Sequence, residues 1–191
     1  MSLFDKKIFV YLASESPRRK ELLSSVGISY ECVCHAAEEK PPADLSPEKT
    51  AEYLARQKAQ TAAAPADGRP ILASDTIVVL DGKIYGKPSD RKEAFKMLKE
   101  LSGRIHRVYT AVAIKTSDAT ESFTSMTEVE FFELSDGEIN EYLDKGEYAD
   151  KAGAYGIQGF GSVLVKRING DFYTVMGLPV AESYRRLCKL V

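Results

Sequence analysis

An apolar run, Ile8-Phe9-Val10-Tyr11-Leu12-Ala13, leads straight into Ser14-Glu15-Ser16-Pro17-Arg18-Arg19 and then into a helix-like run, Lys20 to Val26, closed by Gly27. A strand that turns at once into a helix constrains the fold more than any other stretch of the chain. Pro17 suits the first helical position, where its missing N–H would be unpaired anyway. Ser16 is predicted to cap that helix through its hydroxyl. Such a helix N-terminus favours anions. Arg18 and Arg19 would add two guanidinium forks suited to phosphate. From this segment alone, a capped helix with two solvated arginines accounts for the same residues.

The rest of the chain continues the alternation of strand and helix signals, which points to an α/β architecture. Strands are predicted at about 8–13, 30–34, 71–80, 83–85, 108–115, 122–134 and 162–168. Helices are predicted at about 17–26, from 47 to before 65, from 89 to 101, from 135 to before 146, and from 179 to about 190. The second helix has Ala51, Leu54, Ala55, Ala59 and Ala62 on one face, and the third has Ala94, Met97, Leu98 and Leu101. Asp81-Gly82 is a hairpin turn signal, and Ser135-x-x-Glu138 is a capping box. There is no internal repeat and no low-complexity linker. The pattern reads as one sheet with helices around it, bent into two lobes with a cleft between them.

A chain of 191 residues with 44% hydrophobic and 28% charged residues can bury a core without disulfides or a metal staple. No apolar run approaches the roughly 18 residues needed to span a membrane. The N-terminus has no signal-peptide pattern, so the cytoplasm is the expected compartment. A net charge of −2 argues against a non-specific nucleic-acid binder. Cys32, Cys34 and Cys188 are too few and too unevenly placed for a disulfide framework. They are expected to be buried, packing as small hydrophobes.

Several side chains stand out against this background. Asp75, in Ala73-Ser74-Asp75-Thr76, interrupts the most apolar strand of the chain. A mid-strand carboxylate is costly unless paired or metal-bound, which makes it a functional candidate. The alternative is an aspartate at a bulge, bonded to local backbone. Lys58 lies near the inward face of the second helix and needs an anion there, unless its ammonium snorkels to water. Lys87 is held before a rigid proline in Gly86-Lys87-Pro88. Glu38-Glu39 could supply oxygen ligands for Mg²⁺ or Mn²⁺, or form a solvated acidic face. Gly153, Gly156 and Gly159 in the segment 150–159 permit close backbone approach to a ligand. Gln158 within it could pair donor and acceptor with a base edge, although a tight structural turn explains the same composition. The chain has no P-loop, no G-x-G-x-x-G after the first strand and no G-x-S-x-G elbow. The assembled acids, lysines, arginines and amides suit metal-assisted chemistry on a phosphate ester or anhydride.

These segments resemble the Maf family of nucleoside triphosphate pyrophosphatases nearly end to end. The resemblance rests on Leu12 to Leu23, Ala55-Arg56-Gln57-Lys58-Ala59, Ser74-Asp75-Thr76, Gly86-Lys87-Pro88, Leu101-Ser102-Gly103-Arg104, Asp150 to Gly159, and Gly177-Leu178-Pro179. It implies a single Maf-like domain over 1–191, with the elongated, mixed and twisted α/β sheet of the Maf/ITPase-like fold and a cleft between two lobes. The implied reaction cleaves a nucleoside triphosphate between its α and β phosphates with a divalent metal cation, Mg²⁺ or Mn²⁺. By the same resemblance Asp75 matches the general base, Glu39 the acidic residue after strand 2, and Lys58 and Lys87 the two lysines. Asp75 and Glu39 would hold the metal, and Ser14, Arg18 and Arg19 would cradle phosphates. Arg18, Thr76 and Gln158 match the branch acting on dTTP and UTP rather than the one resembling 7-methyl-GTP pyrophosphatases. The family's D-x-D-E stretch is here Ala36-Ala37-Glu38-Glu39, so Glu38 is the alternative to Glu39. A homodimer, a role in nucleotide-pool sanitation and an association with septum formation and cell-division arrest come with the family. The competing readings are a non-catalytic nucleotide- or nucleic-acid-binding regulator of cell division and a pyrophosphatase of modified purine nucleotides.

Overall fold

A computed structural model describes residues 5–38 and 40–190. In chain order the elements are β1 (Phe9–Leu12), α1 (Pro17–Ser25), β2 (Ser29–Cys32), α2 (Pro47–Gln60), β3 (Ile71–Leu80), β4 (Lys83–Tyr85), α3 (Arg91–Leu101), β5 (Ile105–Lys115), β6 (Thr120–Phe131), α4 (Asp136–Asp144), β7 (Val165–Asn169), α5 (Phe172–Met176) and α6 (Val180–Leu187), with 3₁₀ turns at Ala152–Ala154 and Gly159–Leu164 before β7. Among the described residues the strands form a seven-stranded sheet in the order β2-β1-β3-β5-β6-β7, with β4 beside β3. β1 runs parallel to β2 and β3. β4 is antiparallel to β3, and β7 is antiparallel to β6. The result is the mixed sheet flanked by helices that the alternating signals predict. No helix among the described residues is long and apolar enough to cross a membrane.

The chain divides into two compact units. Unit 1 comprises Met1–Asp75, Thr110–Ser125 and Gly177–Val191, and unit 2 comprises Thr76–Tyr109 and Met126–Met176. In unit 1 the buried apolar residues include Val10, Leu12, Leu23, Leu72 and Leu187, together with Ala51, Leu54, Ala55 and Ala59 of the predicted inner face of α2; Ala62, expected on that face, lies beyond the end of the helix at Gln60, half-buried in a bridge to His35. Ser46 caps α2, its hydroxyl accepting the Lys49 N–H at 3.4 Å. In unit 2 the predicted face of α3, Ala94, Met97, Leu98 and Leu101, lies in a cluster with Phe131 and Tyr155. Asp90 caps α3 through the Glu93 N–H at 2.7 Å. The Ser135/Glu138 capping box on α4 is present. Asp81 and Gly82, at φ 50° and 79°, make the β3–β4 hairpin, a turn that needs positive φ at both central positions.

Three local expectations are corrected. Cys32 and Cys34 are exposed, and only Cys188 is buried. Cys32 ends β2, the edge strand of the sheet, which has exposed or half-buried residues throughout, and Cys34 lies beyond it in the following loop. The strand expected over 162–168 begins only at Val165, because Gly159–Leu164 winds into a 3₁₀ turn. The Asn169-Gly170-Asp171 turn leads into α5, which the sequence did not announce. Asp171 caps it, its carboxylate accepting the Thr174 N–H at 2.8 Å.

Candidate active site

In unit 1 the site begins at the end of β1. Ser14 is buried, and its Oγ is the hub of the turn into α1. It accepts the Ser16 N–H at 3.3 Å and the Arg19 Nη1–H at 2.9 Å. Ser16 therefore binds backward through its amide and makes no side-chain cap bond, contrary to the sequence expectation. Arg19 also donates from Nε to the Gly177 carbonyl at 2.8 Å. That carbonyl accepts the Ser74 hydroxyl at 2.9 Å. Gly177 thus ties α1 to the strand residue next to Asp75. The Arg19 fork is engaged by two protein acceptors, which gives it a scaffolding task beside any contact with phosphate. Arg18, on the same first turn, is half-buried.

Asp75 and Lys58 meet within this unit. Both are 8% exposed, and Lys58 Nζ lies 2.5 Å from Asp75 Oδ1. The mid-strand carboxylate and the inward lysine are thus partners, which removes the local-bulge and snorkelling alternatives. Their pairing answers the cost of burying either charge alone. A carboxylate has about four lone-pair sites, so one bond to an ammonium leaves acceptor capacity for a water or a cation. α2 is pinned so that Lys58 holds this position. Arg56 donates to Ser122 Oγ at 2.9 Å and to the Thr120 carbonyl at 3.2 Å, while Ser122 donates to Glu52 Oε1 at 2.6 Å. Hydrogen bonds to its oxygens from Lys49, at 2.7 Å, and from Ser122 hold the Glu52 carboxyl down at about 2.

Unit 2 carries Thr76, Lys87 and Gln158. Thr76 is half-buried on β3, directly after Asp75. Lys87 is exposed, between exposed Gly86 and buried Pro88. Gln158 is half-buried and heads the 3₁₀ turn at Gly159–Leu164. The structure joins the last two segments, since Gly153 N–H donates to the Gly86 carbonyl at 3.0 Å. Gly153 also packs so closely that a Cβ there would lie 3.1 Å from Val78 Cγ1. Tyr155 is buried and shares a 2.7 Å hydrogen bond with His106 Nε2. Part of the glycine-rich composition is therefore structural, as the tight-turn alternative holds.

Glu39 lies outside the described residues, and Glu38 is exposed. Among the described residues no group of three or more His, Cys, Asp or Glu side chains could hold a metal ion. One buried carboxylate still fits a magnesium-like ion, which is commonly held by one or two carboxylates plus substrate phosphates rather than by an all-protein cage. Ser74 and Gly177 are site residues that residue-level reasoning missed. Ser74 was visible as a polar break in an apolar strand, and Gly177 only as part of Gly-Leu-Pro.

A family model described as Maf-like protein matches residues 9–190. The chain is 51% identical over 176 residues to a dTTP/UTP pyrophosphatase of Bacillus velezensis, covering 92% of this chain and 93% of the relative. It is 49% identical over 181 residues to a dTTP/UTP pyrophosphatase of Syntrophomonas wolfei, covering 93% of this chain and 95% of the relative. A dTTP/UTP pyrophosphatase of Bacillus pumilus is 45% identical over 176 residues, again covering 92% and 93%.

Proposed function

The chain belongs to the Maf family, and we propose that it hydrolyses dTTP and UTP to the nucleoside monophosphate and pyrophosphate. The observation that carries this reading is the buried Lys58–Asp75 pair, 2.5 Å apart, in a chain similar in sequence over nearly its whole length to proteins named dTTP/UTP pyrophosphatase. Asp75 accepts the proton of a water attacking the α-phosphorus, and Lys58 keeps that carboxylate oriented. The substrate carries about four negative charges, so its binding requires cations that no apolar pocket could replace. Arg18, Lys87 and the Ser14–Arg19 turn supply them in this reading.

A divalent cation, Mg²⁺ or Mn²⁺, belongs to the proposal, held by Asp75 with Glu39, or with Glu38 in its place. When bound it neutralises phosphate charge and polarises the scissile anhydride. Thr76 and Gln158 select the base, the amide of Gln158 matching the donor and acceptor edge of uracil or thymine. Modified pyrimidine nucleotides fit the same description. The family match over residues 9–190 supports reading the chain as one Maf-like domain. The same reading puts the protein in the cytoplasm, working on free nucleotides, with a homodimer as the assembly to seek by ultracentrifugation.

The test is pyrophosphate release from dTTP, UTP, CTP, GTP, ATP and 7-methyl-GTP with Mg²⁺ or Mn²⁺, beside Asp75→Asn. Fast release from dTTP and UTP that disappears in the variant is expected. A folded protein that binds these nucleotides without releasing pyrophosphate from any of them would overturn the assignment in favour of a non-catalytic regulator.

A further inference from the structure

The segment that carries Gln158 is anchored by side chains that the proposed chemistry does not use. Glu147 follows α4 by way of Gly146. Its Oε2 accepts the backbone N–H of Phe160 at 3.1 Å. Gly159 makes room for it: this residue sits at φ 62°, and a Cβ there would fall 2.8 Å from the same carboxylate oxygen. The carboxylate therefore lies against the backbone of the two residues that follow Gln158. Lys151 holds the other side. Its ammonium donates to the Glu147 carbonyl oxygen and, at 2.6 Å, to Asp150 Oδ1. Its stem covers Gly156, where a Cβ would come 2.8 Å from Lys151 Cε. Gly161 approaches Gly156 so closely that a Cβ on it would lie 2.0 Å from the Gly156 carbonyl oxygen. Gln158 is the middle of a short loop whose two flanks are fixed to each other and to Glu147.

A side-chain amide reads a base edge through two hydrogen bonds at once, and both weaken if the loop drifts by a fraction of an ångström. We propose that Glu147 is a positioning residue for nucleobase selection: its carboxylate fixes the backbone after Gln158 and so sets where the Gln158 amide meets the base. The inference rests on the reading of Gln158 as the base-reading residue. Glu147 touches neither phosphate nor metal in this scheme, so its loss acts on base recognition rather than on turnover.

The experiment compares Glu147→Ala, Glu147→Gln, Gln158→Ala and the Glu147→Ala/Gln158→Ala double variant by two readouts. The first is amide hydrogen exchange at Phe160. The second is kcat and KM for dTTP, UTP and GTP. Glu147→Ala is expected to lose about tenfold in Phe160 protection and to raise KM for dTTP and UTP about tenfold, the order expected for one charge-assisted hydrogen bond. Its kcat and its KM for GTP stay near those of the unaltered protein, so selectivity narrows. Glu147→Gln keeps an acceptor oxygen and restores most of both readouts. The double variant is no worse than Gln158→Ala. Equal losses on all three nucleotides, unchanged Phe160 exchange, or multiplying effects in the double variant would overturn the proposal. Failure of the underlying reading looks different. The unaltered protein would then release no pyrophosphate, or Gln158→Ala would keep full selectivity, and the role in base selection would fall even where Glu147 still protects Phe160.

Discussion

Lys58 Nζ and Asp75 Oδ1 lie 2.5 Å apart, with side chains 10% and 12% exposed. A buried pair of this kind adds little stability over an apolar substitute, but losing one member strands the other charge. Lys58→Met is therefore expected to destabilise unit 1 by about 3 kcal/mol or more, because the Asp75 carboxylate is left buried and unpaired. The Lys58→Met/Asp75→Asn double variant should recover much of that loss. Denaturant unfolding of both singles and the double closes the cycle. All three lose pyrophosphate release, so a double variant that is stable and inactive would separate the structural cost from the chemical one.

Arg18 and Arg19 are adjacent on the first turn of α1. The Arg19 fork reaches both Ser14 Oγ and the Gly177 carbonyl. Lysine cannot make both contacts from one ammonium with the same planar geometry. Arg19→Lys should cost about 1–2 kcal/mol in stability as well as activity. Arg18→Lys should raise KM for the nucleoside triphosphate. Calorimetry paired with steady-state kinetics tells the two apart. A melting temperature of Arg19→Lys equal to that of the unaltered protein would remove the scaffolding role of Arg19.

Much of this could be read before the structure, wherever a period or a cost was written into the residues. The α3 face was legible because Ala94, Met97, Leu98 and Leu101 repeat at helical spacing, and all four are buried. Asp75 and Lys58 were each legible as misplaced charges, one in an apolar strand and one on an apolar helix face. Their pairing was not, since 17 residues and a loop separate them and no local spacing encodes the contact. The residue type suggested burial for Cys32 and Cys34, but nothing local says that Cys32 ends an edge strand and that Cys34 follows it. α5 spans five residues, too few for a helical pattern to emerge. The Glu147 contact was invisible because its backbone partner lies 13 residues further on, outside any local capping pattern.

The corrected cysteine environments have a direct chemical consequence. Cys32 and Cys34 are exposed, while Cys188 is 6% exposed at the end of α6. Thiolate chemistry requires access as well as ionisation. Titration of the native protein with a coloured disulfide reagent should release close to two equivalents promptly, from Cys32 and Cys34, and the last only on unfolding. Mass spectrometry after brief alkylation should find Cys188 unlabelled. Prompt modification of Cys188 would contradict the burial of α6.

His106 links the core of unit 2 to acid stability. It is 1% exposed, and its ring packs edge-on against Phe131 and Tyr155. Loss of hydration disfavours the imidazolium and holds the pKa at about 4. The unfolded chain, near 6.5, binds the proton more readily than the folded one. The stability contributed by the neutral ring is thus complete above the unfolded value and drains away as pH falls from 6.5 toward 4. Between pH 7 and pH 5 the loss should be about 2 kcal/mol, a few degrees in melting temperature for a chain of this size. His106→Gln retains a group able to bond the Tyr155 hydroxyl but does not titrate. Its stability at pH 7 should be lower than that of the unaltered protein, and its decline toward pH 5 shallower by about the same 2 kcal/mol. Parallel pH profiles for the two proteins would show that the acid sensitivity of the fold arises at other groups.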